Sequence, residues 1–510
     1  MNIRVAGRPP LSRPASRSPQ PLQGDLLSTG SSPRTRGPGA ITAVIALGGI
    51  VVSLMQTLVV PIIPQLPRLL HASASDASWV ITATLLAAAV VTPISGRLGD
   101  MYGKRRVLIG SLVVLIAGSV VCALSESLVP VIVGRALQGL ATGLIPVGIS
   151  VLRDELPAAR VGGAVSLVSA TLGVGGAIGL PVSAAIVQSA DWHVLFWLAA
   201  GLGAVCLLLV TLLLSESPNL SPGRFDAPGA AGLAGGLVLL LLPVTKGGDW
   251  GWTSGMTLGL FAAGVVVLAL WGWYETRVSQ PLVDLRVSVR RPVLFTNLAS
   301  ILVGFAMYAM SLTLPQLLQS PKATGYGLGQ SVLAAGLALA PGGLVMMALS
   351  PVSARITARY GPRTSLLTGV AVIGVGYGAG MLLMSQVWQI VVTSMIVSAG
   401  VGIAYAAMPA LIMGAVPVTE TASANGINAL MRSIGTSTAS AVMTAILANM
   451  TMRLGPAQLP TEGGFRMTYV VAMAATVVGL LLTLAIPRPR AVSPAPGAHA
   501  AEPAAPASAA

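Results

Sequence analysis

The feature that most constrains this chain is a succession of apolar runs, each about twenty residues long, separated by short polar turns. A helix of that length crosses roughly 30 Å of hydrocarbon. Only 9% of the 510 residues are charged, about a third of the share in a soluble globular domain, and the mean hydropathy is +0.83. The chain therefore reads as an all-α polytopic membrane protein. Fourteen spans are expected, at about 40–63, 79–98, 106–124, 128–151, 162–187, 192–214, 229–246, 254–274, 293–318, 329–351, 364–384, 388–414, 422–448 and 468–486.

Charge bias supports an even count. One set of alternate loops holds only Arg68, Lys246, Lys322, Arg453 and Arg466. Arg135 and Arg432 fall inside spans, and the rest of the 29 Lys and Arg lie in the other set of loops and the tails. Basic residues collect on the cytoplasmic side, so both termini are expected inside a plasma (inner) membrane. The net charge of +14 is scattered and forms no basic face, which argues against nucleic acid as a partner. Cys122 and Cys206 lie within apolar runs, so a disulfide framework is not indicated. His71, His193 and His499 are too dispersed to assemble a metal site, and neither a metal nor a cofactor is expected.

The expected organisation is a basic, disordered tail at 1–39, six helices over 40–214, two inserted helices over 229–274, six more over 293–486, and an Ala/Pro-rich tail at 487–510. An internal repeat supports the two sixes. At an offset of about 260 residues, Leu156-Pro157 aligns with Val416-Pro417, Gly175 with Gly435, and Ala185-Ile186 with Ala445-Ile446. Tandem six-helix repeats are a known transporter architecture.

The most charge-dense turn is Gly96-Arg97-Leu98-Gly99-Asp100-Met101-Tyr102-Gly103-Lys104-Arg105-Arg106, between spans two and three. Its echo in the second half is Ala354 to Arg363, with Ala358 where the first has Asp100. This turn resembles the loop signature of the major facilitator superfamily, Gly-x-Leu-x-Asp-x-x-Gly-basic-basic. Arg135-Ala136-Leu137-Gln138-Gly139 is similar to that family's span-four motif. Gly175-Gly176-Ala177-Ile178-Gly179-Leu180-Pro181 is similar to its span-five antiporter motif, with a Leu inserted before the Pro. Three motifs in order, with fourteen spans, resemble the 14-helix drug:proton antiporter branch over roughly residues 40–486. The resemblance implies the major facilitator fold and proton-coupled efflux of drugs or small metabolites by alternating access. It implies a monomer in the lipid bilayer, a small-molecule substrate, a proton as coupling ion, and no enzymatic activity. The alternative is an importer or uniporter on the same fold. An ATP-driven pump would need a separate ATPase, since the chain has no Gly-x-x-x-x-Gly-Lys-Ser/Thr.

The motif further implies that Asp100, with Gly96, Gly103, Lys104 and Arg105, forms a conformational gate. Asp100 would dock on the positive amino end of span thirteen, near Ser423 to Asn425. The plainer reading is a topology anchor. Gly175, Gly179 and Pro181 suggest close packing, a hinge, or both. For the transport cavity or coupling, Arg135 and Gln138 share one helical face, as do Asn425, Asn428 and Arg432. A mid-bilayer Arg needs a cavity or a partner, so both stripes are candidate cavity walls or interhelical hydrogen-bond sites. Gln56, Asn297 and Tyr308 are further candidates. The branch commonly carries an acid in span one, where this chain has Leu54-Met55-Gln56-Thr57. None of the fifteen acids falls near mid-span, where a proton carrier would be expected.

Overall fold

The computed structural model describes residues 37–217, 219–221, 223–454 and 457–487. Most of the tail at 1–39 and nearly all of that at 487–510 lie outside them. Thirteen helices among the described residues are long and apolar enough to cross a membrane. They are α1 (Pro38–Ile63), α2 (Ser75–Tyr102), α3 (Lys104–Ala123), α4 (Leu128–Glu155), α5 (Ala158–Ser189), α6 (Val194–Leu213), α7 (Ala227–Trp250) and α8 (Gly255–Glu275). The second part contributes α9 (Arg291–Gln319), α10 (Val332–Tyr360), α11 (Pro362–Leu382), α12 (Val387–Met413) and α14 (Glu462–Leu484). The remaining expected span is α13 (Thr421–Asn449), a helix of 29 residues. At 1.5 Å per residue it is about 43 Å long, ample to cross.

Helix α13 is too polar to qualify on hydropathy, and its surroundings explain why. It packs against α2, α4, α7 and α9, so protein rather than lipid covers much of its surface. Asn425, Asn428 and Ser437 are buried there. Polar residues in such a position face other helices and can bond to them, as Asn428 does to Asn297 and Ser300 of α9.

The second part is built round an apolar core that includes Val303, Ile373, Val397, Met408 and Phe465. The first part holds two cores, one round Val52, Leu112 and Val147 and one round Leu66, Val80 and Phe196. Small residues set the closest approaches. A Cβ at Gly175 or Gly179 would run into Ser53 or Thr57 of α1, and one at Gly343 of α10 into Gly173 and Ala177 of α5. Helix α5 thus lies between α1 and α10, with glycines toward both. Helix α7 packs on α2, α13 and α8. A fourth cluster joins Leu86 and Ala89 of α2, Leu233 and Leu237 of α7, Leu282 and Val283 of the following linker, and Ile427 and Leu430 of α13. Lys246 is buried near the far end of α7, where its Nζ donates to the Ser75 carbonyl at 2.5 Å and also reaches the Ser78 hydroxyl.

Two features differ from the sequence reading. The charge-dense turn is mostly helical: α2 runs through Tyr102 and α3 starts at Lys104, so Gly103 alone makes the corner. Its φ of 110° lies where a side chain is strained and glycine is not. Gly361 makes the matching corner between α10 and α11, with φ 85°. The loop before α14 also contains an antiparallel hairpin, β1 (Thr451–Leu454) with β2 (Ala457–Pro460). Four-residue strands are too short to register as a periodic pattern.

Candidate functional site

At the Gly103 end of the bundle, the two halves meet through a helix terminus. The first backbone N–H groups of a helix have no partner within it, and Glu420, preceding α13, makes no side-chain cap. The Asp100 carboxylate supplies the acceptor from the other half. Ser423 N–H donates to Oδ2 at 2.8 Å and Ala422 N–H to Oδ1 at 3.2 Å. Charge-assisted bonds of this type are roughly twice as strong as neutral ones, and the helix dipole favours an anion there. The backbones are in close contact beside it: a Cβ at Gly96 would fall on the Ala422 carbonyl, and one at Gly426 on the Thr92 carbonyl. Arg153, at the end of α4, adds a second tie by donating to Thr421 Oγ1 at 2.6 Å.

Asp100 is held from behind. Lys104 Nζ lies 3.9 Å from it and forms an ion pair with Asp154, all three side chains being fully buried. Asp154 also accepts from the Ser217 hydroxyl and, at 3.1 Å, from Asn219 Nδ2. Glu216 Oε1 accepts the Arg105 N–H at 3.1 Å, capping α3 where Gly103 has no side chain to do so. Arg105 Nη2 donates to the Thr211 carbonyl at 2.8 Å. Arg153, Asp154, Glu216 and Thr421 were not among the sequence candidates. Each lies far along the chain from its partner, and no spacing rule links them. In the second half the equivalent segment carries no acid: Ala358 is exposed, and Ser353 Oγ bonds to the Ile403 carbonyl at 3.2 Å.

The two arginine stripes have different surroundings. Arg135 is 2% exposed and spends its donors on its own half. Nη1 reaches the Met55 carbonyl at 3.2 Å and Gln138 Oε1 at 2.6 Å, and Nε the Val80 carbonyl at 3.3 Å. Gln138 Nε2 continues to Ser119 Oγ at 2.8 Å. Of the two readings of this stripe, these bonds are those of an interhelical tie among α1, α2, α3 and α4. Arg432 is half-buried. Its Nη1 donates to Asn428 Oδ1 at 2.7 Å and its guanidinium lies 5.2 Å from the Tyr405 ring centre. Asn428 Nδ2 bonds in turn to Asn297 Oδ1 at 3.0 Å and Ser300 Oγ at 2.7 Å. Asn297, Asn428 and Arg432 therefore form one network, to which the structure adds Ser300 and Tyr405. Asn425 Nδ2 bonds to the Thr421 carbonyl at 2.9 Å, while its Oδ1 has no partner among the described residues.

Gln56 is exposed on α1 and Tyr308 half-buried beside Ser440; among the described residues neither is joined to the Arg432 network. Thr57 Oγ1 bonds to the Gly175 carbonyl at 3.3 Å, and a Cβ at Gly336 of α10 would sit 3.2 Å from Pro181 N. The antiporter-like stretch of α5 is thus packed on both sides. Asn297 also lines a cavity of about 260 Å³ together with Arg97, Val283, Glu420 and Ser423, at the gate's end of the bundle.

Comparison with known proteins places this geometry in a family. The model of the Major Facilitator Superfamily matches residues 45–440 and 296–509. The multidrug resistance protein Stp of Mycobacterium tuberculosis (strain CDC 1551 / Oshkosh) is 26% identical over 80% of this chain and 76% of its own length. The tetracenomycin C resistance and export protein of Streptomyces glaucescens is 26% identical over 79% of this chain and 75% of its own. Among solved structures, the proton:xylose symporter XylE superposes with a TM-score of 0.64 over 88% of this chain and 96% of that chain, at 15% identity. The human organic anion transporter MFSD10 superposes at 0.63 over 89% and 100%, also at 15% identity.

Proposed function

This chain belongs to the Major Facilitator Superfamily, and from that premise we propose that it is a proton-coupled exporter of drugs or small metabolites. It works by alternating access between two six-helix halves, as a monomer in the plasma membrane with both termini cytoplasmic. The observation that carries the reading is the Asp100 carboxylate on the amino end of α13. A helix end from one half and an acid from the other make a contact that is formed or broken as the halves rock, with no covalent change. In the conformation described here the contact is made, so this end is closed and substrate access is from the other. The Arg153–Thr421 bond closes with it.

The names of the relatives, multidrug resistance and tetracenomycin C export, support export as the direction. The substrate class follows from charge. The Asn297–Asn428–Arg432–Tyr405 network offers a cation and amides but no carboxylate, and a lipophilic cation leaving water needs a charge partner. Uncharged or anionic substrates are therefore favoured. Purified protein in proteoliposomes should move an uncharged antibiotic or tetracenomycin C and leave ethidium behind. Strong transport of ethidium alone would overturn the charge argument.

A further inference from the structure

At the gate's end of the bundle α7 begins and α8 ends, and each brings a buried acid. Asp226, just before α7, is 7% exposed and Glu275, the last residue of α8, 2%. One oxygen of each is accounted for. Asp226 Oδ1 accepts the Gly229 N–H at 2.8 Å and the Tyr274 hydroxyl at 3.0 Å. Glu275 Oε1 accepts the Val283 N–H at 2.9 Å. The other two, Asp226 Oδ2 and Glu275 Oε2, have no donor among the described residues. No described Lys or Arg forms an ion pair with either acid. Tyr274, the residue before Glu275, bonds to Asp226 at 3.0 Å and α7 packs along α8, so the two acids sit at one corner of the helix pair.

Ionised carboxylates only accept hydrogen bonds, so a bond between two of them needs a proton on one. Two like charges in buried contact do not both ionise near neutral pH. We propose that Asp226 and Glu275 form a proton-binding site, one proton shared between two carboxyls, whose occupancy keeps the 276–290 linker docked beside the gate.

The linker is placed to respond. Val283, whose N–H is bonded to Glu275, is buried in the apolar cluster shared with Leu86 of α2 and Leu430 of α13. Residues 279–284 line the cavity that also holds Arg97, Glu420 and Ser423, and Ser423 is the residue whose N–H meets Asp100. The other charged groups nearby are engaged elsewhere or open to the cavity. The Arg277 guanidinium lies 4.1 Å from the Trp273 ring centre, Arg224 is exposed to solvent, and Asp284 caps the Arg286 and Val287 amides. Arg97 from α2 and Glu420 from the α13 side face the cavity. When the shared proton leaves as pH rises, two adjacent charges remain at the ends of α7 and α8. Their repulsion separates the helix ends and frees Val283. The proton site stands independently of the transport reading, and only its effect on the gate rests on that reading.

The test needs no transported substrate. Infrared titration of the full-length protein in lipid nanodiscs should show a protonated-carboxyl C=O band that vanishes as pH is raised from about 5 to about 9. The band should be weaker in the Asp226→Asn/Glu275→Gln double variant than in the parent. Absence of the band in the parent, or a band of undiminished intensity in the double variant, overturns the site. Val283→Cys, in a background with Cys122 and Cys206 replaced by Ala, reports the linker. Its maleimide labelling should speed up about tenfold over the same titration, as a docked segment opens locally, and stay slow in the amide pair, which mimics the protonated form. A rate that does not change with pH in the parent overturns the coupling to the linker.

Discussion

Asp100→Asn is expected to cut transport by at least about tenfold while leaving membrane insertion intact. The carboxylate accepts two backbone N–H groups at the start of α13, one on each oxygen. An amide keeps one acceptor, presents an NH₂ to the other N–H, and removes the charge that the helix end favours. Hydrogen bonds to charged groups contribute about 1.5–3 kcal/mol each, and 1.4 kcal/mol is a factor of ten in an equilibrium. Losing one such bond therefore shifts the balance between closed and open by one order of magnitude or more. Apolar packing within each half is untouched, so expression level and thermal stability in detergent should stay near the parent's. Unchanged transport would leave the segment only its anchoring role.

The second large effect concerns the pair behind the gate. The Lys104 and Asp154 side chains are both fully buried and ion-paired. Removing one partner of a buried pair costs about 3–5 kcal/mol, because the survivor keeps its desolvation without its counter-charge. Lys104→Met should therefore lower the thermal midpoint sharply and reduce the yield of folded protein. Asp154 retains Ser217 and Asn219 as donors, which makes it the recoverable partner. Asp154→Asn added to Lys104→Met removes the stranded charge and should restore most of the lost stability. A double variant as unstable as the single would show that the lysine acts through packing alone. Thermal denaturation followed by size-exclusion chromatography reads all three proteins.

Much of this architecture is legible in the sequence because membrane helices advertise themselves. Each lipid-facing span must be apolar along its whole length, and the loops between carry the charge asymmetry. The exception shows the rule: α13 is recognisable as a span from its place between loops, whereas its hydropathy falls short because α2, α4, α7 and α9 shield it. The Asp100 segment stands out as a motif, and its geometry against Ser423 needs only a helix end. What escaped are contacts between distant positions. Asp154 is 50 residues from Lys104 and reads as part of an ordinary charged span end. Asp226 and Glu275 each look like a solvated loop acid until the fold buries them. Arg135 looks in sequence like Arg432, a lone cation inside a span. Only the positions of the Met55 and Val80 carbonyls separate a fully buried tie from a network whose arginine is half-buried.

The central claim is proton-coupled export, and the most direct test is reconstitution. Proteoliposomes containing the full chain should accumulate an uncharged antibiotic or tetracenomycin C against its gradient only when a pH gradient is imposed. Substrate added on the side from which it is exported should drive a counter-flow of protons, and a protonophore should abolish accumulation. Accumulation that survives the protonophore, or substrate movement with no accompanying proton flux, would contradict the account and favour uniport on the same fold.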